Sequence, residues 1–408
     1  MNRLRTRLRM TTLYHHSHTT RLSATPPRLF PSRPLSQPPR TRRCQHYTTT
    51  PISFSPRRSP ADQNASHRKH MELIFLGTGS MVPTNVRGTS SLLLRLSGEL
   101  WMFDCGEGTQ IKMQKTALTL NDITKIFVTH CHGDHIFGLP GILCGMGQAR
   151  RNRGPSARKA LSSDRVEIYG PVGLRAYLRY AAKTSHAFFA PYVVHELEDI
   201  PMVSSHTGKE TLPHRDSSVT CDPTTPSFAN GELRGGQQLP RSSEDGCWTL
   251  FHREDGMIVR AAPLSHTVPT VGYVVEEPKT LGNMNMQLLQ PILDQNYDDL
   301  VKAGWKHPAK VVSEIKLMKT GETFDMPDGT QVHPEKYRGE DRNGRKIAIL
   351  GDTSNAGKTL SLVEGADVMV HECTNASLPG DGTTENSVDR ALRNRGHSSP
   401  RMVGEFNL

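Results

Sequence analysis

The six residues His130-Cys131-His132-Gly133-Asp134-His135 constrain this chain more than any other feature, because four of them carry side chains that bind metal ions. Three imidazoles and a carboxylate suit zinc, and so dense a cluster favours a pair of ions over one closed structural site. Residues 123–129 form an apolar, β-branched run, which predicts a buried strand with the ligands on the loop after it. A chance run of solvated histidines is the alternative, since the chain contains 19 His.

The size and cysteine content of the chain set wide bounds on its class. A length of 408 residues allows one large or two ordinary domains with a substantial core. No apolar run approaches the length of a membrane span, so we expect a soluble protein with no membrane partner. The seven Cys include no CxxC pair, which favours a reducing compartment over a disulfide framework.

The positive charge is confined to the N-terminal segment. Residues 1–70 hold 13 Arg and one Lys against one acid, whereas the remainder has 36 basic and 39 acidic residues. Net charge therefore says nothing about nucleic-acid binding by the rest of the chain. Residues 1–60 contain no acid and are rich in Arg, Ser, Thr and Pro, which predicts a disordered mitochondrial transit peptide, with an ordinary tail as the alternative. Initiation at Met71 would give a second product in the nucleus or cytosol.

Further ligand-type residues follow apolar runs later in the chain. The run at 257–264 precedes His266, the run at 346–350 precedes Asp352, and the run at 368–370 precedes His371 and Glu372, while His397 lies in a late loop. Any one of these would more often be structural, but the repetition favours a shared site. Short apolar runs at 73–76, 90–96 and 100–103 and a helical pattern at 173–182 predict a mixed α/β domain over residues 71–408.

Three segments look like additions to this domain. Residues 148–165 are basic and residues 204–246 are rich in Ser, Thr, Pro and Gly, which predicts two mobile loops, the second a disordered insertion. Residues 278–328 combine helical spacing at 284–300 with lysines around Trp305. Cations beside an aromatic ring suit an RNA backbone and a stacking base, although an ordinary surface excursion with lysines fits as well.

Taken together, the motifs resemble those of the metallo-β-lactamase superfamily and, within it, of the short-form tRNase Z family. The supporting motifs are Phe75-Leu76-Gly77-Thr78-Gly79-Ser80, Asp104-Cys105-Gly106-Glu107-Gly108-Thr109-Gln110, the His130 to His135 cluster, Leu264-Ser265-His266-Thr267, Gly351-Asp352-Thr353, His371-Glu372 and His397-Ser398. The resemblance implies an α/β fold, the αββα four-layer sandwich. It also implies a zinc-dependent endoribonuclease that removes the 3′ trailer from precursor tRNA, leaving a tRNA 3′-OH and a trailer with a 5′-phosphate.

The resemblance further implies roles for individual residues. Two zinc ions per subunit would be held by His130, His132 and His266 for the first, by Asp134 and His135 for the second, and by Asp352 between them. Asp134 would also be the general base for the attacking water, and His397 would protonate the leaving oxygen, with His371 and Glu372 in support. Residues 278–328 would form a tRNA-binding arm carrying Lys302, Trp305, Lys306 and Lys310, in a homodimer whose arms reach the partner's site.

The sequence departs from the family pattern at two places. The Gly-Pro of the family's arm is His307-Pro308 here, and the last strand with its Thr-His-x-Ser motif, the source of a seventh zinc ligand, has no counterpart after His397. We therefore expect an incomplete second zinc site and a sandwich that lacks its C-terminal strand. The alternatives are a truncated, catalytically impaired form that binds tRNA or a partner, and a different metallo-β-lactamase-type phosphodiesterase.

Overall fold

The computed structural model describes residues 9–10, 70–96, 98–152, 165–213, 231–307 and 309–406. The predicted transit peptide lies outside the described residues, apart from the two-residue strand β1 (Arg9–Met10). Most of the predicted basic loop at 148–165 lies outside them as well.

The largest sheet among the described residues has seven strands in the spatial order β10-β7-β6-β5-β4-β3-β2. They are β2 (Met71–Gly77), β3 (Ser91–Leu96), β4 (Glu99–Phe103), β5 (Ile123–Phe127), β6 (Val166–Pro171), β7 (Tyr192–Leu197) and β10 (Gln238–Leu239). The pairs from β2 to β4 are antiparallel and those from β4 to β10 are parallel. Parallel pairing brings the carboxyl ends of β4 and β5 side by side, with Phe103 opposite Phe127.

The second sheet has the order β1-β17-β16-β13-β12-β11. Its strands after β1 are β11 (Trp248–His252), β12 (Ile258–Leu264), β13 (Thr270–Glu276), β16 (Lys346–Ile349) and β17 (Val368–Val370). The pairs from β11 to β16 are antiparallel, and β17 lies parallel to both β16 and β1. The carboxyl ends of β16 and β17 therefore also meet at one edge, with Ile349 opposite Val370.

The inner faces of the two sheets pack on each other. Alternate residues of β3 point inward, so Leu92, Leu94 and Leu96 join a core that includes residues of both sheets. Aromatic rings fill the space between the sheets, with Phe103 stacked on Phe127 at 4.8 Å and Tyr273 near both. The Tyr273 hydroxyl donates to the Val128 carbonyl across the interface at 2.6 Å. This hydrogen bond joins β13 to the residues between β5 and the histidine cluster.

Helices cover the outer face of each sheet. The seven-stranded sheet is covered by α1 (Thr109–Met113), α2 (Gly133–Ile136), α3 (Leu139–Arg151) and α4 (Leu174–Ser185). The second sheet packs against α9 (Leu360–Val363) and Phe406 of α11 (Pro400–Phe406), with α10 (Glu385–Arg395) preceding the latter. The layers are thus helix, sheet, sheet, helix, which confirms the predicted αββα sandwich.

The predicted arm is a separate helical unit. It contains α5 (Met286–Gln295), α6 (Tyr297–Lys302), α7 (Ala309–Leu317), the hairpin β14 (Phe324–Asp325) and β15 (Gln331–Val332), and α8 (Pro334–Tyr337). Residues 284–300, predicted as one helix, form two. Asn296 ends the first helix, and its side-chain amide donates to the Asp328 carboxylate. The unit also extends past the predicted boundary of 328, since Val332 belongs to its core and the chain rejoins the sandwich at Arg345, paired with Glu277.

The described parts of residues 204–246 differ from the disordered insertion that the composition predicted. Strand β9 (Glu210–Thr211) pairs with β8 (Met202–Val203), and β10 extends the larger sheet. Glu232, 1% exposed, binds Arg175 and Arg179 of α4, so buried ion pairs hold this segment in place. Residues 214–230 lie outside the described residues. Among the described helices, none combines the length and the apolar character that crossing a bilayer requires.

Candidate metal centre

The histidine cluster lies on the loop between β5 and α2, and Asp104 anchors this loop. Asp104 follows β4, and its two carboxylate oxygens accept the backbone N–H and the hydroxyl of Thr129, both at 2.8 Å. The same carboxylate accepts the Nδ1–H of His135 at 2.7 Å. Asp104 is 4% exposed, so these are charge-assisted hydrogen bonds inside the protein, where competing water is scarce. The parallel pairing of β4 and β5 is what brings Asp104 to the loop.

His130, His132 and His266 form the first group that can hold a metal ion. Their ligand nitrogens lie within 4.8 Å of one another, and His266 Nε2 is 3.2 Å from His132 Nδ1. His130 is completely buried, and its Nε2 has no hydrogen-bond partner in the described structure. A buried polar atom without a partner is costly, and a cation shared by the three imidazoles removes that cost. Three imidazoles also match the donor set that zinc prefers, so the residues fit the metal.

Hydrogen bonds to the remote ring nitrogens orient two of these imidazoles. His266 Nδ1 is 2.7 Å from the Gly396 carbonyl, which can only accept, so Nδ1 carries the proton and Nε2 presents its lone pair. His130 Nδ1 lies 3.0 Å from the Thr129 hydroxyl, which already donates to Asp104 and therefore accepts here. Both Nε2 atoms thus face the group as acceptors, ready for a metal.

His130, His135 and Asp352 form the second group. Asp352 Oδ2 is 3.4 Å from His135 Nε2 and 3.9 Å from His130 Nε2, so one carboxylate lies between the two groups. Asp134 lies next to this group, with Oδ2 3.8 Å from His135 Nε2, although it belongs to none of the three groups identified among the described residues. Its carboxylate accepts the backbone N–H of Met81, at 2.7 Å.

Asp352, Glu372 and His397 form the third group. His397 Nδ1 is 3.0 Å from Glu372 Oε1, which also accepts the backbone N–H groups of Thr353 and Ser398 at 3.0 and 3.2 Å. Glu372 is thereby fixed, and it fixes the ring of His397 in turn. The His397 ring centroid lies 5.1 Å from that of His266, so this imidazole sits beside the first group.

Burial and neighbouring charges give these imidazoles different pKa values. Burial lowers the pKa of His266 to about 4 and holds the pKa of His130 well below its usual value, so both rings are neutral near pH 7. Burial also opposes protonation of His397, but the hydrogen bond and charge of Glu372 outweigh it and raise the pKa of His397. The site therefore offers neutral rings that can bind a metal next to a ring that holds a proton.

Eight of the nine predicted metal and catalytic residues of the sandwich lie in these three groups or, like Asp134, beside them. His371 lines the same cavity as Asp134 and Asp352, but its ring packs against Phe406 at 5.8 Å, and its Nδ1 donates to the Glu372 carbonyl at 2.7 Å. It supports the backbone next to Glu372. Sequence reasoning named Asp104 within a motif but missed its contacts, and it missed Gly396 as the partner of His266. The available signal was Asp104 itself, a carboxylate directly after the apolar run at 100–103.

The predicted substrate-binding residues lie on the arm, with two distinct environments. Lys302, Lys306 and Lys310 are exposed, and Lys302 pairs with Asp299 at 2.8 Å. Trp305 is partly buried in the arm's own core, with its ring 6.3 Å from Phe324. The ring therefore completes a small apolar core, and stacking of a base on Trp305 stays a prediction.

The chain is similar in sequence to known proteins. Residues 71–156 match the family described as Anti-Pycsar protein Apyc1. The chain is 36% identical over 341 residues to zinc phosphodiesterase ELAC protein 1 of Bos taurus, with 82% of each chain covered. It is 31% identical over 340 residues to ribonuclease BN of Proteus mirabilis, covering 82% of this chain and 84% of the relative.

A solved structure also aligns over most of the chain. The crystal structure of human tRNase Z, short form (ELAC1), shares 29% sequence identity, with a TM-score of 0.49 over 82% of this chain and 86% of that one. The identity and coverage of the curated relatives decide the family, and they confirm the resemblance that the motifs predicted. This chain belongs to the family of zinc phosphodiesterase ELAC protein 1 and ribonuclease BN, the short-form tRNase Z proteins with a metallo-β-lactamase fold.

Proposed function

We propose that this protein is a zinc-dependent endoribonuclease that removes the 3′ trailer from precursor tRNA, leaving a tRNA 3′-OH and a trailer with a 5′-phosphate. One observation carries the proposal: a buried imidazole, His130, is shared by two groups of metal-type ligands, and a proton-holding imidazole, His397, lies beside them. Family membership supplies the substrate class, since the relatives include tRNase Z and ribonuclease BN.

The two groups around His130 would hold zinc. His130, His132 and His266 would bind one ion, Asp134 and His135 would bind another, and Asp352 would lie between them. Zinc bound there supplies positive charge, which lowers the pKa of a water molecule and stabilises negative charge on a phosphodiester. The neutral state of His130 and His266 suits this role, because only an unprotonated ring nitrogen can bind a metal.

Two side chains would move protons. Asp134 would orient the attacking water and accept its proton, since a carboxylate beside the second group can reach a water held there. His397 would give a proton to the departing 3′ oxygen of the tRNA, and Glu372 would keep that proton available by raising the pKa of His397. His371 would act only by supporting the backbone of Glu372.

The arm would bind the tRNA away from the scissile bond. Its lysines at 302, 306 and 310 are exposed, and cations on a surface bind a phosphate backbone without reading its sequence. We propose further that the protein is a homodimer in which each arm grips tRNA at the partner's site. Sedimentation of the arm-deleted and full chains would test this, since a monomeric full chain with unimpaired tRNA cleavage contradicts it.

The location of the protein is part of the proposal. We propose import into mitochondria through residues 1–60, with a second product from Met71 in the nucleus or cytosol. The composition of the segment supports this. A reporter fused to residues 1–70 should reach mitochondria, and a reporter that stays in the cytosol contradicts the proposal.

Cleavage of a precursor tRNA tests the activity directly. The purified protein, with zinc quantified per chain, should release a trailer with a 5′-phosphate from a labelled precursor. Asp134→Ala should lose cleavage while tRNA affinity changes little, because its carboxylate lies in the metal centre and not on the arm. Hydrolysis of a small phosphodiester without cleavage of tRNA would favour a different phosphodiesterase. Binding of tRNA without any hydrolysis by the zinc-loaded protein would favour the impaired form.

A further inference from the structure

The loop of residues 78–88, here called the rim loop, connects β2 to β3 at the mouth of the metal centre. Its first residues line the same cavity as Asp134, His135 and Asp352. Gly79 N–H donates to the Gly88 carbonyl at 2.8 Å, and Lys112 Nζ bonds the Val86 carbonyl at 3.1 Å. The loop is therefore held at both its base and its far side, although it exposes Met81, Val82 and Val86 to solvent.

Met81 occupies a strained position in this loop. Its φ is +61°, and Val82 N–H donates to the Ser80 carbonyl at 2.8 Å, which places Met81 at the centre of a tight three-residue turn. This turn is the rarer and more strained form of the γ-turn. Positive φ is unfavourable for residues other than glycine, so contacts around Met81 must compensate for the conformational energy. The Met81 side chain does not compensate, because it is 81% exposed.

The compensating contact is made by the backbone. Met81 N–H donates to Asp134 Oδ2 at 2.7 Å, across 53 residues of sequence. A hydrogen bond to an ionised carboxylate is among the stronger ones in proteins. The strained turn thus directs one N–H at the carboxylate that the proposed function needs.

We propose that Met81 is a positioning residue that sets the orientation of the Asp134 carboxylate through its backbone N–H. The role belongs to the left-handed backbone and not to the methionine side chain. The inference deepens the proposed function, since it assumes that Asp134 serves the metal centre. It predicts that residue 81 tolerates any substitution that keeps a positive φ and fails with one that forbids it.

Two substitutions separate backbone from side chain. Met81→Gly removes the side chain, accepts the positive φ and keeps the N–H, so we expect activity and zinc affinity close to those of the unmodified protein. Met81→Val stays apolar, but a β-branched residue strongly disfavours positive φ and should pull the N–H away from Asp134. We expect about a tenfold loss in kcat with bis(p-nitrophenyl) phosphate, with KM unchanged, as for a lost hydrogen bond to a charged group.

Zinc binding provides a readout that does not depend on turnover. Competition with a chelator should show weaker binding of the second zinc ion in Met81→Val and no change in Met81→Gly. In an Asp134→Ala background, Met81→Val should have no further effect on zinc binding, because the coupled partner is gone. Val86→Gly is the matched control: it removes an equally exposed apolar side chain from the same loop, and its N–H makes no bond to Asp134.

The outcomes are distinct. Equal losses in Met81→Gly and Met81→Val, or no loss in either, overturn the positioning role. An additional loss from Met81→Val in the Asp134→Ala background also overturns it. If the unmodified protein fails to cleave precursor tRNA, the proposed function fails, and the zinc affinities of the Met81 variants still decide the inference. Thermal unfolding should change little in Met81→Gly and Val86→Gly, because their side chains are exposed and the Met81 N–H is kept.

Discussion

In the metal centre the functional side chains are buried and held by hydrogen bonds, whereas the arm exposes its lysines around a small core of its own. His130 is fully buried, and Asp104 and Gly396 fix the rings beside it. On the arm, Lys306 and Lys310 are exposed, and buried apolar residues such as Leu289 and Val311 only keep the helices together. Chemistry needs fixed atoms, while binding a phosphate backbone needs accessible charge. The two regions should therefore be separable by mutation.

The largest effect should come from His130→Ala. The substitution removes a ligand atom from two of the three metal-type groups at once, so we expect hydrolysis to become undetectable and zinc content to fall. Affinity for precursor tRNA should remain, because the arm is untouched. Zinc per chain and tRNA binding would be measured on the same preparation. Loss of tRNA binding together with zinc would show that the two regions are not independent.

Removal of the arm should produce the opposite pattern. Residues 278–344 can be replaced by a short Gly-Ser linker, because Glu277 N–H bonds the Arg345 carbonyl at 2.9 Å and the ends are already adjacent. We expect affinity for tRNA to drop and its salt dependence to flatten, since phosphate contacts are lost. Turnover of bis(p-nitrophenyl) phosphate should be preserved. Equal loss of both activities would point to misfolding of the sandwich, which thermal unfolding would reveal.

Asp104→Asn should weaken the metal centre without removing a ligand. Asparagine has an NH2 group in place of one carboxylate oxygen, and this group can only donate. Its side chain therefore cannot accept both the Thr129 backbone N–H and the His135 Nδ1–H. We expect zinc affinity to fall by about 10- to 100-fold, as for other partners of metal-binding histidines. Chelator competition measures this. Asp298→Asn, on the exposed face of the arm, is the matched control and should leave zinc affinity unchanged.

Glu372→Gln should move the pH dependence of cleavage. The carboxylate raises the pKa of His397, so its loss should lower that pKa and move the alkaline limb of the pH–rate profile to lower pH. Activity should therefore suffer more at pH 8 than at pH 6. An alkaline limb that stays in place would mean that His397 is not the proton donor in the step measured.

The smallest effects should come from single lysines of the arm. Lys310→Ala should weaken tRNA binding modestly and reduce the slope of log Kd against log salt concentration by about one. Lys302→Ala should do less, because Lys302 is already paired with Asp299. Titrations at several salt concentrations would rank the two. The reverse ranking would mean that tRNA displaces Asp299 and that Lys302 is the principal contact.

Much of the sandwich followed from patterns that depend on neighbouring residues alone. The apolar runs predicted strands close to β5, β12, β16 and β17, and the helical pattern at 173–182 corresponds to Leu174–Ser185. The arm was predicted less well. Its helical spacing did not reveal the break at Asn296, because that residue's contact with Asp328 depends on how the chain folds back. The composition of residues 204–246 did not reveal its ordered ends, since the buried pairing of Glu232 with Arg175 is equally non-local.

The sequence by itself determined the kind of chemistry that this protein can carry out. The types and spacing of residues 130–135, and the ligand-type residues after later strands, are local properties of the chain and identify metal-binding chemistry directly. Only the tertiary structure decided how those atoms are held. Parallel pairing of β4 and β5 places Asp104 against the histidine loop, and the strained turn at Met81 directs its N–H toward Asp134. Such contacts join residues far apart in sequence, so they arise only when the strands of the larger sheet pair with one another.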